Sequence, residues 1–284
     1  MKIAVLITTF NRYAKTIACL ERIYQLQNSN SSELTIFVAD DNSGDGTPEF
    51  IAKHYPEIIL LKGSGSMFWV GGMRLAWQEA VKKNYDAYLL LNDDVVLAAD
   101  ALDVLLQTHF YALKNFQQPG IYTGSTYDPE STRLSYGGRK LLNKISGKSI
   151  LVQPDQNEPV SCDFAHANIL LVRKEVVEKI GILAVEFTQR LADYDYTLRA
   201  RKQGFPLLVC PGYGGSCQDD HGKNWLPANH SLKERVKYLK SPKYLAYHEY
   251  LFFMKRHFPL YRPVTFVKLW MKTIFPSIWS RFKP

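Results

Sequence analysis

An apolar run, Leu89 to Val96 (LLLNDDVV), carries Asn92, Asp93 and Asp94 at its centre. Carboxylates at the tip of a buried strand are costly to desolvate unless something positive pairs with them. A hard divalent cation that also holds phosphate oxygens suits such oxygen ligands. Two further acidic groups lie far away in the chain, the turn ADDNSGDGT (Ala39 to Thr47) and the segment LADYDYTLRA (Leu191 to Ala200), and His221 follows in SCQDDHGKNW. Chemistry on a nucleotide diphosphate needs a held base and diphosphate, stabilisation of departing negative charge, and a base for an acceptor hydroxyl. Each requirement has a candidate among these residues.

The elements that must position them follow from the apolar pattern. The N-terminal half alternates apolar strands with helical spacing, the sign of βαβ units and a mostly parallel sheet. Strands are expected at 3–7, 34–39, 58–61, just before Asn92, at 121–123 and at 169–172. Helices are expected at about 12–26, 47–54, from Met73 through Val81, 99–114, 174–180 and 193–203. Thr47 reads as an N-cap with Pro48 at the first helical position. The stretch 127–159, rich in Gly, Pro, Ser and Asn, reads as hairpins and loops bordering a site.

With 284 residues and 46% hydrophobic content the chain can bury a sizeable core. Four cysteines without a CxxC pair, behind a start with no signal-peptide character, point to a reducing, cytoplasmic setting. The net charge of +8 is unevenly placed. Ser231 to Pro284 holds 12 Lys+Arg against 2 Asp+Glu, or +10, leaving 23 against 25, or −2, for the rest. Interleaved aromatic residues make anionic lipid headgroups or lipid-linked phosphates the expected neighbours of that segment, peripheral on the inner face of a membrane. A helical extension that only packs on the main domain is the competing expectation, and nucleic acid ranks below both because no nucleic-acid motif accompanies the charge.

Between the turn and the acidic tip lies GSGSMFWVGG, Gly63 to Gly72. A glycine-rich loop before a helix lets backbone amides and a helix N-terminus approach a ribose or diphosphate. It lacks the Gly-Lys-Ser/Thr of a Walker loop. A carboxylate at Asp40, or alternatively Asp41, can accept the imide N–H of uracil or thymine, whereas a plain Asx turn would use only Asp45 and Gly46.

These motifs, in this order from Lys2 to about His221, resemble those of the inverting family 2 glycosyltransferases of GT-A fold. The resemblance implies an α/β protein with a mostly parallel central sheet flanked by helices, followed by a helical C-terminal extension. The glycosyltransferase domain would span 1–225, with a donor half about 1–125 and an acceptor half about 126–225, and the extension 226–284. It implies that Thr8, Phe10 and Arg12 of TTFNR line the nucleotide pocket together with Asp40 or Asp41, Gly71, Arg74, Asn92 and Asp93. Asp94 would hold Mn²⁺ or Mg²⁺, with His221 as a further ligand. The family's Asp-x-Asp pattern is altered by Asn92, and Ala192 stands where a first acid is usual before Asp193. Asp193 inherits the role of general base, held as an anion by a helix start, with Asp195 and Arg199 buttressing that helix. Trp69 and His166 fall on the acceptor side, although Trp69 also suits donor binding or core packing.

The implied activity moves a hexosyl or deoxyhexosyl group from a nucleotide-diphosphate sugar to a glycan or lipid-linked acceptor in surface polysaccharide biosynthesis. A sugar nucleotidyltransferase shares the layout, but would need glycines and basic residues directly after the first strand, and TTFNR lacks those glycines. A catalytically silent nucleotide-sugar or membrane-docking protein is the third reading.

Overall fold

The computed structural model describes residues 1–29, 32–219 and 226–282. Lys2–Thr9 forms β1, Tyr13–Ser29 α1, Glu33–Asp40 β2, Thr47–His54 α2, Ile59–Lys62 β3, Phe68–Ala80 α3 and Ala87–Leu91 β4. All pairings among these four strands are parallel, in the order β3-β2-β1-β4. β1 and β4 are apolar on both faces because helices cover both, and every residue of Ala87–Leu91 is buried. In such a sheet, ligands bind beyond the carboxyl ends of the strands, where the order reverses. Thr9, Asp40 and Leu91 end their strands at that edge.

The second half continues with Val96–Leu97 (β5), Ala101–Phe116 (α4), Ile121–Tyr127 (β6), Leu134–Tyr136 (β7), Gly138–Asn143 (β8), Lys148–Leu151 (β9), Val160–Ser161 (β10), Phe164–Ala165 (β11), Ile169–Arg173 (β12), Lys174–Ile180 (α5), Ala192–Lys202 (α6) and Leu207–Ser216 (β13). β12 runs antiparallel between β4 and β6, joining the halves into one sheet. β13 was not foreseen, since Pro211 and three glycines disguise it. It pairs parallel with β6 through register shifts around Tyr213. The stretch 127–159 does form hairpins, and β8, β9 and β11 make a small second sheet.

At the start of α2 the expectation is corrected by one residue. Gly46, with a left-handed φ of 85°, takes the N-cap and Thr47 is the first helical residue. The Asp45 side chain accepts from both the amide and the hydroxyl of Thr47, so the turn uses its own aspartate. On the other face of the sheet, Trp77 of α3 is wholly buried. It packs against Tyr88 of β4 and Tyr196 of α6, with ring centroids 5.9 and 5.1 Å away, tying the parallel part of the sheet to α6.

The C-terminal segment is helical: Leu232–Lys240 (α7), Tyr247–His257 (α8), Arg262–Ile274 (α9) and Pro276–Phe282 (α10). Phe253, Met254 and Phe258 belong to the same buried cluster as Trp77 and Tyr196. Leu239, Leu251 and Leu269 form a separate small cluster among α7, α8 and α9.

Candidate active site

The loops after β1 and β2 are stitched together. Asn11 Oδ1 accepts from Gly44 N at 2.9 Å, and Asn11 N donates to Ser43 Oγ at 2.9 Å. Of the two turn acids, Asp41 is committed to the glycine-rich loop, accepting the amides of Gly65, Met67 and Phe68 at 2.7, 2.8 and 3.2 Å. Asp40 accepts from Ser43 N at 2.8 Å through Oδ1 only. Its Oδ2 is buried without a hydrogen-bond partner among the described residues. A buried anionic oxygen with no donor is costly, and a ligand N–H would relieve it.

Thr8 is buried against α3, where the backbone of Gly72 leaves no room for a side chain: a Cβ there would lie 2.0 Å from Thr8 Oγ1. Close helix–strand approach therefore rests on Gly72, while Gly71 beside it faces Met67, the residue that precedes α3. Phe10 is exposed. Arg74 is half-buried, and its Nε has no hydrogen-bond partner among the described residues.

At the end of β4 the triplet divides its tasks. Asn92 Oδ1 accepts from the indole N–H of Trp69 at 2.8 Å. Asp93 is buried and pairs with Arg12 Nη1 at 2.7 Å, and Thr16 Oγ1 donates to its other oxygen at 3.3 Å. Burial pushes the Asp93 carboxyl up, and the guanidinium opposes it only in part. Asp94 is the more accessible of the two acids, 3.2 Å from Arg12 Nη1 and 3.9 Å from Lys15 Nζ. The Cys217 thiol reaches its Oδ1 at 3.6 Å.

A divalent cation fits this arrangement through Asp94, whose carboxylate would supply one oxygen ligand, the remaining oxygens coming from a diphosphate. No cluster of three or more His, Cys, Asp or Glu side chains able to hold a metal occurs among the described residues. His221, expected as a further ligand, lies outside them.

Asp193 stands in the first turn of α6, just after Leu191 in a left-handed conformation (φ 68°). Its Oδ1 accepts from Tyr194 N at 2.9 Å and its Oδ2 from Ala167 N at 3.4 Å. Burial pushes its carboxyl up to about 6, against the pull of those two amides. The next residue, Asn168, accepts from Asn92 N at 3.1 Å through its carbonyl, and its Nδ2 lies 3.5 Å from Cys217 Sγ. Ala167 and Asn168 are consecutive, so one dipeptide touches both the acidic tip and Asp193. Asp193 and the strand end at Asn92, about a hundred residues apart in the sequence, are thus linked through one dipeptide.

His166 is buried beside them. Its Nδ1 lies 2.9 Å from Gly137 O and 3.3 Å from Gly137 N, and its Nε2 lies 2.5 Å from Tyr194 Oη. Burial and the Asp193 charge raise the Tyr194 hydroxyl, so Tyr194 stays a neutral donor.

Sequence reading missed the segment that braces the site from behind. Thr188 O accepts from Val70 N at 3.0 Å and Gln189 Oε1 from Trp69 N at 2.8 Å, satisfying amides at the start of α3. That segment is in turn held by the extension: Thr188 N donates to Glu249 at 3.0 Å, and Arg190 Nη1 to Tyr244 O at 3.1 Å. Behind α6, the wholly buried Asp195 accepts from Arg199 Nε at 2.8 Å, Arg256 Nη1 at 2.9 Å and His257 Nε2 at 2.8 Å. Burial pushes that carboxyl up, but the hydrogen bonds from His257 and Arg199 outweigh it and hold it below its ordinary value. Arg199 at i+4 was legible; Arg256 and His257 were not, because nothing local links them to Asp195.

The fold, with its mainly parallel sheet flanked by helices, is of the GT-A type found in nucleotide-sugar glycosyltransferases. Residues 4–181 match the pattern described as Glycosyl transferase family 2, and the chain belongs to that family. The match ends before α6, so Asp193 lies beyond it. No curated protein matches in sequence. Among solved structures, a mannosyltransferase, PcManGT from Pyrobaculum calidifontis in complex with GDP-Man and Mn²⁺, is similar over 98% of this chain and 71% of its own, at 14% identity and a TM-score of 0.52. S. aureus TarS 1-349 aligns with 77% of this chain at 13% identity and a TM-score of 0.49. The chain spans 60% of the TarS 1-349 chain.

Proposed function

We propose that this glycosyltransferase is inverting and assisted by a divalent cation, and that Asp193 is its general base. The observation that carries the reading is the Ala167–Asn168 bridge between Asp193 and the strand end that bears Asp94. Asp193, with its carboxyl near 6, is ionised at neutral pH yet still basic enough to take a proton from an acceptor hydroxyl. The freed oxygen attacks the anomeric carbon from the face opposite the diphosphate, and one displacement inverts the configuration. Arg12 and Lys15, beside Asp94, attract the diphosphate; Asp40 Oδ2 accepts a base N–H. Mn²⁺ or Mg²⁺, held by Asp94, neutralises charge on the departing diphosphate when bound.

A fold neighbour complexed with GDP-Man and Mn²⁺ supports both a nucleotide-sugar donor and the cation. An orphaned carboxylate oxygen suits uracil or thymine through their imide N–H, so UDP- or dTDP-activated hexoses and deoxyhexoses such as dTDP-rhamnose are the proposed donors. His166, with Tyr194, and Trp69 border the acceptor. The acceptor is a glycan or lipid-linked glycan of a surface polysaccharide, met at the inner face of a membrane.

A panel of UDP-, dTDP- and GDP-sugars, with and without Mn²⁺, tests this through thermal shift and slow donor hydrolysis. Cation-dependent stabilisation by one donor is expected. Absence of binding and hydrolysis with every donor would refute it.

A further inference from the structure

No helix among the described residues is long and apolar enough to cross a membrane. The extension nonetheless turns an apolar surface outward. α9 buries Thr265, Leu269, Lys272 and Thr273. On its other side Val264, Val267, Met271 and Ile274 are exposed, at spacings of three and four residues that place them on one helical stripe. Phe266 on α9, and Phe275 and Ile278 beyond it, are exposed as well.

Charge says what covers this surface. The stripe lies in the one segment that carries the protein's excess positive charge, 12 Lys+Arg against 2 Asp+Glu over Ser231 to Pro284. Both acids are engaged locally or turned toward the main domain: Glu234 closes a capping box with Ser231, and Glu249 accepts from Thr188 N. Arg262 and Lys268 stand exposed on α9 itself. A second copy packed isologously on this face would set like charges against each other. Nucleic acid would meet the cations and leave the aliphatic stripe in water.

We propose that α9 and the start of α10 form an interfacial docking surface for an anionic phospholipid bilayer. The helix lies in the membrane plane, its stripe among the acyl chains and its cations at the headgroups. This deepens the membrane-side reading above by naming the residues that make the contact, and its test needs neither donor nor acceptor.

The full chain is floated with vesicles of phosphatidylcholine alone or with roughly 30% phosphatidylglycerol. Binding to the anionic vesicles at least about tenfold above the neutral ones, weakened by salt, is expected. Val267→Asp with Met271→Asp, both at exposed sites, should abolish it and leave the melting temperature unchanged; Lys268→Glu should weaken it. Equal binding to neutral vesicles, no binding at all, or an unaffected double variant would overturn the proposal. So would sedimentation showing that the double variant dissolves a dimer, or competition by an oligonucleotide with no loss in the double variant. Vesicle binding with no activity on any donor would sink the enzymatic reading and leave this one standing.

Discussion

Asp193→Asn keeps one acceptor oxygen for the Tyr194 amide at 2.9 Å, loses the longer bond from Ala167 N at 3.4 Å, and removes the negative charge. If that charge is the proton acceptor, transfer should fall by roughly 10²–10⁴-fold. In the native enzyme kcat/KM should climb through pH about 6, where the carboxyl ionises, and this limb should vanish from the variant's residual activity.

The same substitution has a signature in stability. A carboxyl raised from 3.8 to about 6 makes the folded state bind its proton more tightly than the unfolded chain. Below the lower value both states are protonated and the group contributes nothing. As pH rises from about 4 to about 6 the folded state loses stability, and the full loss persists above. At 1.36 kcal/mol per tenfold this approaches ~3 kcal/mol, reduced to ~1–2 kcal/mol by the water that reaches the partly exposed carboxyl. Asparagine does not titrate. The melting temperature of Asp193→Asn relative to wild type should therefore rise by about 1–3 °C between pH 4.5 and 7.5. Differential scanning calorimetry at the two pH values reads this directly. An active variant, or a difference independent of pH, would refute the reasoning.

Asp40→Asn keeps the bond from Ser43 but adds an amide that cannot accept, so UDP or dTDP affinity should fall about 10–100-fold by calorimetric titration with the melting temperature little changed. Gly72→Ala should destabilise by about 1–3 kcal/mol by overpacking against Thr8, partly restored by Thr8→Ala, as chemical denaturation would show. Arg256→Met keeps the apolar part of the side chain but withdraws one of three donors from buried Asp195. About 2 kcal/mol of lost stability is expected in urea; no loss would mean that the network contributes little.

The parallel half of the fold was legible because its strands are uninterrupted apolar runs and its helices keep strict spacing, as in Ala87–Leu91 and Thr47–His54. β13 was hidden by Pro211 and its glycines, which a bulged, closely approached strand tolerates but local propensity disfavours. The site candidates were visible as carboxylates at element ends. What distinguishes them was not: Asp40 and Asp41 are neighbours of one type, and only the loop amides that Asp41 captures leave Asp40 with an unused oxygen. Asn168 and Cys217 carry no pattern of their own, since their importance comes from sheet order.

The knot at Asp195, with the clasp at Glu249, ties the tail of this protein to the helix that carries Asp193. A stop codon or protease cut between α7 and α8 would strip two of three partners from a carboxylate that water cannot reach and unhook the braces at the start of α3. Shortened chains should therefore emerge insoluble or slack, with Asp195 as the point of failure. Through Arg256 and His257, α8 is bound to α6, the helix that carries Asp193.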